Sequence, residues 1–170
     1  MVIFLIIIIT WPMIRIDRPD DNAAIRGAIM KDSGSVHKNV QEMCDCYATT
    51  DPLKEMSTIK DEPDARSAAL KWAALAALHG VGSNAEQITL SRSDDGRITV
   101  FAEYRPAELP SPGKDAGREI FETFRQMTHI DADKGKTLLA LGIRDSSIDL
   151  EVKVKKKNGR EKIKIGFPKR

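Results

Sequence analysis

Apolar and polar residues alternate most regularly near the C-terminus. Residues 148–167, "IDLEVKVKKKNGREKIKIGF", contain two alternating runs separated by Asn158-Gly159, and this arrangement is the strongest short sequence signal for a β-hairpin. A two-residue turn predicts that Lys157 pairs with Arg160. The same register places three apolar pairs on one face of the hairpin: Val154 with Ile163, Val152 with Ile165, and Leu150 with Phe167.

A second hairpin is predicted over residues 86–104, "EQITLSRSDDGRITVFAEY". Asp94-Asp95-Gly96 suits a three-residue loop in which Gly96 supplies the positive φ. This loop sets a register that keeps the apolar side chains together on one face: Arg92 with Ile98, Leu90 with Val100, and Ile88 with Ala102.

Two segments have the periodicity of helices. In "DARSAALKWAALAALHG", residues 64–80, Asp64 suits the N-cap and Gly80 the C-cap. The segment is apolar nearly all round, which predicts a largely buried helix. "KDAGREIFETFRQMTHI", residues 114–130, is amphipathic. The proline-rich "RPAELPSPG" before it is predicted to be a loop, and a strand is predicted from Thr137 to Ile143.

The predicted order over residues 64–167 is α-β-β-α-β-β-β. We therefore expect an α+β fold, with a mainly antiparallel sheet and two helices packed on one face. The chain divides into an apolar segment 1–14, a polar and partly helical arm with a linker over 15–63, and the α+β domain over 64–170. Within the arm, helices are predicted after Pro19 and over 36–48, and "TTDPLKEMSTIKDEPDA" is interpreted as a linker.

The N-terminal segment leaves three interpretations open. From Val2 to Ile14 every residue except Thr10 is apolar. A helix of this length rises only ~20 Å, short of the ~30 Å hydrocarbon core, and no basic n-region precedes it. A buried strand, a membrane-touching anchor, and an over-extended reading frame that begins upstream of Met13 all fit the pattern.

Charge is distributed unevenly along the 170 residues. The net charge is +2, which by itself indicates no partner. Residues 151–170 hold nine basic and two acidic side chains, a balance of +7, so residues 1–150 carry −5. The basic end coincides with the C-terminal hairpin, whose polar face carries Lys153, Lys155, Lys162 and Lys164, with Arg160 beside the turn.

Candidate catalytic and cofactor motifs are incomplete. Gly135-Lys136-Thr137 resembles the end of a phosphate-binding loop, but Ile130 stands where the first glycine belongs, and a helix precedes the motif instead of a strand. His79 and His129 close the two predicted helices, where a cation suits the helix dipole. No serine has a glycine-flanked elbow around it. The sequence therefore predicts neither an enzyme nor a bound cofactor.

The two cysteines are Cys44 and Cys46, and His37 lies nearby. This spacing is too tight for an easy disulfide, so we expect a reducing, cytoplasmic location, with membrane association through residues 2–14 as the alternative. A structural metal site needs four ligands, and only three candidates are present here. No metal is predicted.

The order of elements resembles that of a known domain. "LHGVGSNAEQITLSRSDDGRITVFAEY", "FRQMTHIDADKGKTLLALGI" and "IDLEVKVKKKNGREKIKIGF" are similar in order and spacing to the small domain before the ATPase core of type II secretion and type IV pilus assembly motor ATPases. The resemblance covers about 100 residues and is one of pattern more than identity. It implies a stand-alone or truncated relative that retains the scaffold and lacks the motor.

The chain departs from that family at its characteristic polar positions. Thr89 and Ser91 stand near the places of the family's His and Glu, and Thr99 and Phe101 stand where its return strand has arginines. The resemblance implies a non-enzymatic protein-interaction domain that binds a motor ATPase or a second copy of itself. The alternative is binding of nucleic acid or an anionic surface through the lysine face, since a two-stranded ribbon fits the major groove. Against it, no aromatic residue is interleaved among those lysines.

Overall fold

The computed structural model describes residues 36–103 and 107–169. Helix α1 occupies residues 36–46 of this part. The elements that follow are α2 (Pro52–Thr58), a short 3-10 helix (Ile59–Asp61), α3 (Ala65–Gly82), β1 (Gln87–Arg92), β2 (Ile98–Glu103), β3 (Ala107–Leu109), α4 (Lys114–Thr128), β4 (Lys134–Ile143), β5 (Ser146–Lys157) and β6 (Arg160–Gly166).

The six strands form a single sheet in the order β3-β2-β1-β6-β5-β4, and each neighbouring pair is antiparallel. β3 and β4 lie at opposite edges, and α4 connects them across one face. Most apolar side chains of the strands point toward the helices, and most polar side chains point to the other face, which we call the open face. The predicted α+β class is thus confirmed.

Both predicted hairpin registers are confirmed. The β1–β2 pair joins Arg92 to Ile98 and Leu90 to Val100, and Gly96 has a φ of +80° at the loop. The β5–β6 register runs from Lys157↔Arg160 to Glu151↔Gly166. It ends one pair short of the predicted Leu150–Phe167 pair. The Phe167 N–H donates to the Glu86 carbonyl oxygen, just before β1, at 3.0 Å.

The centre of the hydrophobic core is helix α3. As predicted, the Asp64 side chain accepts from the backbone N–H groups of Arg66 and Ser67 at the N-terminus. The helix continues past Gly80 to Gly82, so the predicted C-cap is wrong. A Cβ on Gly80 would lie 1.9 Å from an atom of the Phe167 ring. Gly80 is therefore required for close approach of the C-terminal segment, and Ser83 ends the helix instead.

The segment interpreted as a linker is helical over residues 52–61, so that prediction is wrong. Met56 and Ile59 are fully buried in the same core as α3. Lys71 of α3 reaches back to this segment, with Nζ 3.1 Å from Glu55 Oε2 and 3.2 Å from Glu62 Oε1. Burial alone would lower the pKa of Lys71, but the hydrogen bonds to these two carboxylates outweigh it and raise the pKa.

Two edges of the sheet differ from expectation. Ala107–Leu109, predicted to be loop, pairs with β2 as the short edge strand β3. At the other edge, β4 begins three residues earlier than predicted and is partly covered by α1. Gln41 both donates to the carbonyl oxygen of Gly142 (2.7 Å) and accepts from its N–H (2.6 Å). A side-chain amide thus replaces a neighbouring strand at this point, which protects an otherwise open edge.

Predictions that concern residues 1–35, including the apolar segment and the helix after Pro19, lie outside the described residues. Within residues 36–103 and 107–169, no helix combines the length and apolar character needed to cross a bilayer.

Candidate functional site

The open face of the sheet carries a compact array of lysines on three adjacent strands. Strand register places Lys136, Lys153 and Lys164 in one row across β4, β5 and β6. A second row lies two residues farther along each strand, on the same face, and contains Lys134, Lys155 and Lys162. Neighbouring strands are ~4.8 Å apart and same-face residues ~6.8 Å apart. We call these six residues the lysine grid.

This arrangement places like charges directly opposite one another. Lys153 faces Lys164, and Lys155 faces Lys162. Cross-strand pairs of like charge are destabilising, so the grid opposes folding of the sheet that presents it. Five of its six lysines are exposed, and Lys164 is half-buried.

Glu151 is the carboxylate that neutralises part of the grid. It forms ion pairs with Lys136 and, at 2.5 Å, with Lys153. Hydrogen bonds from Lys136 and then Lys153 hold the pKa of the Glu151 carboxyl below its ordinary value. Within the part of the chain that the structure describes, the remaining grid lysines form no ion pair: Lys134, Lys155, Lys162 and Lys164.

Beside the grid lies a nearly neutral strip on β1 and β2. Thr89 pairs with Lys164 on one side and with Phe101 on the other, so Phe101 continues the first lysine row. Its side chain is 42% exposed. Ser91 and Thr99 continue the second row. An aromatic ring therefore does lie on the lysine-bearing face, two strands from β6, although none is interleaved among the lysines of the hairpin.

The predicted docking residues lie on this face, but the hairpin is not a free ribbon. β6 pairs with β1 on its far side, and β5 pairs with β4. Lys153, Lys155, Lys162 and Lys164 are brought together as predicted. Arg160 lies at the turn, 3.7 Å from Asp94 of the neighbouring loop. An open depression of about 950 Å³ lies between the two hairpin ends, and Thr99, Lys155 and Lys162 are among the residues that line it.

A buried carboxylate holds the strands of this face in place from the helical side. The Glu161 side chain is 4% exposed and lies 2.5 Å from Arg92 Nη2 of β1. It also lies 3.6 Å from Arg125 Nη2 of α4 and 3.5 Å from Lys156 Nζ of β5. The Arg125 guanidinium additionally donates to the carbonyl oxygens of Ile130 and Ala132. This cluster joins α4 to three strands.

Gly135-Lys136-Thr137 lies within β4 and is not a loop. A Cβ on Gly135 would meet the Ile130 side chain at 2.5 Å, so this glycine is needed for packing. Lys136 is directed to Glu151 on the open face. This placement within a strand agrees with the prediction that the motif is not a nucleotide-binding loop.

The cysteines and histidines do not converge. Cys44 is fully buried in the core, whereas Cys46 is exposed. Burial, with a smaller contribution from Asp45, raises the pKa of the Cys44 thiol to about 11, so it stays protonated at neutral pH. His37 Nε2 lies 2.8 Å from the Ala140 carbonyl oxygen at the β4 edge. Among the described residues no His, Cys, Asp and Glu side chains cluster as a metal site would need.

His79 is buried near the end of α3, and His129 is the exposed C-cap of α4 with a φ of +54°. The sequence predicts that both histidines lie at helix ends. The fold shows that His79 is buried there and that His129 is exposed. Burial lowers the pKa of His79 from its ordinary value of 6.5, and Asp51 opposes this shift.

The pKa of His79 predicts a loss of stability in mild acid. Because the folded state lowers this pKa, the unfolded chain takes up a proton more readily. The contribution of His79 is therefore present above pH ~6.5 and is lost as the pH falls through the folded pKa. We expect the urea midpoint to fall less between pH 7.5 and pH 5.0 in His79→Gln than in the wild type. His129→Gln should retain the wild-type fall, and equal falls in all three proteins would contradict the prediction.

No model of a known protein family matches this chain, and no curated protein is significantly similar to it. The resemblance to motor ATPase domains therefore stays a prediction. The structure adds three residues to the face that sequence reasoning did not assign to it: Lys134, Lys136 and Phe101. The strand predicted from Thr137 excluded Lys134 and Lys136, and the order of strands β4, β5 and β6 was needed to place these two lysines beside the hairpin.

Proposed function

We propose that this chain is a non-enzymatic binding domain whose open sheet face binds a polyanionic partner. The observation that carries the proposal is the lysine grid, in which six cations occupy three adjacent strands and, among the described residues, Glu151 alone is paired with any of them. A multivalent anion would relieve the repulsion within the grid, and release of its counterions would favour binding.

Maintenance of solubility is a weaker explanation of the grid. Solubility is favoured by a surface on which positive and negative side chains are interspersed. Lysine placed to prevent aggregation belongs on an exposed sheet edge, yet β5 and β6 are interior strands. Four of the six grid lysines lie on these interior strands, and this concentration of one sign of charge favours recognition.

A protein partner, such as a motor ATPase or a second copy of the chain, is the partner that the resemblance implies. It too would have to present acidic groups to this face. Size-exclusion chromatography with light scattering tests whether the chain binds a second copy of itself. Pull-down from the source cell tests whether it binds another protein. A protein that stays strictly monomeric and retrieves nothing argues against it.

Charge reversal tests the proposed function directly. We expect replacement of Lys134, Lys155, Lys162 and Lys164 by Glu to weaken binding of labelled polyglutamate or oligo(dT) by at least ~100-fold at 50 mM salt. The wild type should itself lose about 50-fold between 50 and 200 mM salt if four phosphates are neutralised, from a slope near −0.7 per contact. Fluorescence anisotropy measures both effects.

The control reverses as many lysines away from the face, at Lys54, Lys60, Lys114 and Lys169, all of which are exposed. This variant has the same net charge and should bind within about threefold of the wild type, because its four substitutions lie outside β4, β5 and β6, the strands that carry the grid. Circular dichroism establishes that both variants fold. Equal weakening in the two variants, or none in the first, would contradict a specific lysine site.

A further inference from the structure

We infer that the polyanion is a single-stranded nucleic acid, which lies flat across the open face with its phosphates on the lysine grid and a base stacked on Phe101. This inference rests on the proposed function and specifies its ligand. The face has two chemically different halves, one cationic over β4, β5 and β6, and one over β1 and β2 that lacks cations and carries neutral side chains at Thr89, Ser91, Thr99 and Phe101, with the carboxylate of Glu103 at its end. A single strand has the same two parts, a charged backbone and neutral bases.

The distances across the sheet fit this assignment. Phe101 on β2 lies two strand intervals from Lys164 on β6, about 9.6 Å, and Thr89 lies between them. Short side chains at Thr89 and Ser91 leave space above the sheet between the cationic half and the ring. A base attached to a phosphate held by the grid can therefore extend toward Phe101, whose exposed ring offers a stacking surface for any base.

The surroundings of Phe101 disfavour an acidic protein as the occupant. Glu108 of β3 pairs directly opposite Phe101, and Glu103 is the next same-face residue on β2. A partner surface that is acidic throughout would meet these carboxylates and be repelled on this half of the face. A neutral base meets no such penalty, because its charge is carried by the phosphate at the other end.

Double-helical DNA fits the face poorly. The hairpin that carries the lysines has a strand bonded on each side, and the six-stranded sheet is roughly 24 Å wide, whereas the major groove is ~12 Å wide. The two-stranded ribbon expected from the sequence is therefore unable to enter the groove. Contact with a duplex is limited to phosphates on one side and leaves Phe101 without a base.

The test compares Phe101→Ala with a matched truncation, Leu138→Ala. Leu138 is an exposed apolar side chain on the same face, 67% exposed, but it lies beyond the lysine rows on β4. We expect Phe101→Ala to weaken binding of 12-nucleotide oligo(dT) or oligo(rU) about tenfold, the effect of losing one stacked base. The slope of log K against log salt should stay unchanged, since no phosphate contact is removed.

Phe101→Trp should retain affinity, and its fluorescence should be quenched by the oligonucleotide. Leu138→Ala should bind within about twofold of the wild type. For a 12-residue polyglutamate, a 12-base-pair duplex and anionic lipid vesicles, Phe101→Ala should leave affinity unchanged. Because Phe101 is exposed, its variants should melt near the wild-type temperature.

Each alternative outcome is informative. If polyglutamate or vesicles bind as tightly per charge as the single strands, or if Phe101→Ala binds oligonucleotides normally, the nucleic-acid inference is overturned while the proposed function stands. If oligonucleotide, duplex, polyglutamate and vesicles all fail to bind at 50 mM salt, both are overturned.

Discussion

Glu161→Ala should lower the free energy of unfolding by about 3–5 kcal/mol, the cost of breaking a buried ion pair by removing one partner. The carboxylate is almost fully buried and is shared by Arg92, Arg125 and Lys156. Without it, two largely buried guanidinium groups repel each other at the junction of α4 with the sheet. Urea denaturation followed by circular dichroism measures the change.

Two comparisons isolate the buried charge. Glu161→Gln keeps the shape and one acceptor, so it should recover part of the loss. Asp94→Ala removes an exposed carboxylate 3.7 Å from Arg160, and it should cost no more than ~1 kcal/mol, as exposed pairs do. If Glu161→Ala were as mild as Asp94→Ala, the cluster would not hold the sheet to α4 as described.

Trp72→Ala should destabilise the fold by a similar amount, about 3–5 kcal/mol, because truncation of a large buried side chain leaves a cavity that the surroundings only partly fill. Trp72 is fully buried on α3. It packs edge-on against Phe124 of α4, with ring centroids 6.4 Å apart. The substitution therefore weakens the contact between the two helices that cover the sheet.

Trp72→Phe separates packing from hydrogen bonding. The indole Nε1 is buried and has no hydrogen-bond partner among the residues that the structure describes. Replacement by Phe removes this donor and keeps an aromatic ring against Phe124, so we expect a loss of only about 1 kcal/mol, near the average for a point substitution. If Trp72→Phe proved as costly as Trp72→Ala in urea denaturation, the indole N–H would be satisfied by a partner after all.

Local sequence signals predicted the parts of the fold that depend on neighbouring residues. Asn158-Gly159 and Asp94-Asp95-Gly96 each determined a turn, and a turn determines the register of the two strands that it joins. Asp64 likewise predicted the start of α3. Such features need no knowledge of distant segments, because the hydrogen bonds that define them form within a few residues.

The predictions that were wrong concern segments whose structure depends on residues distant in the chain. Residues 52–61 have scattered charge and prolines typical of a linker, but Met56 and Ile59 are buried because α3 lies beside them. Ala107–Leu109 became a strand because β2 offered it a free edge. In both cases contacts with a neighbouring element in the folded structure stabilised a conformation that the local sequence does not favour.

The sequence by itself determined that the C-terminal hairpin presents lysines on one face and apolar residues on the other, since alternation and the Asn-Gly turn specify both. Only the tertiary structure decided what surrounds those lysines. The pairing of β4 with β5 brought Lys134 and Lys136 into the same rows, and the pairing of β1 with β6 placed Phe101 beside them. The β4–β5 pairing is a hairpin across Arg144-Asp145 that the sequence analysis did not predict. The β1–β6 pairing joins residues far apart in the chain and is selected by burial of the common apolar face against α3 and α4, which no local pattern encodes.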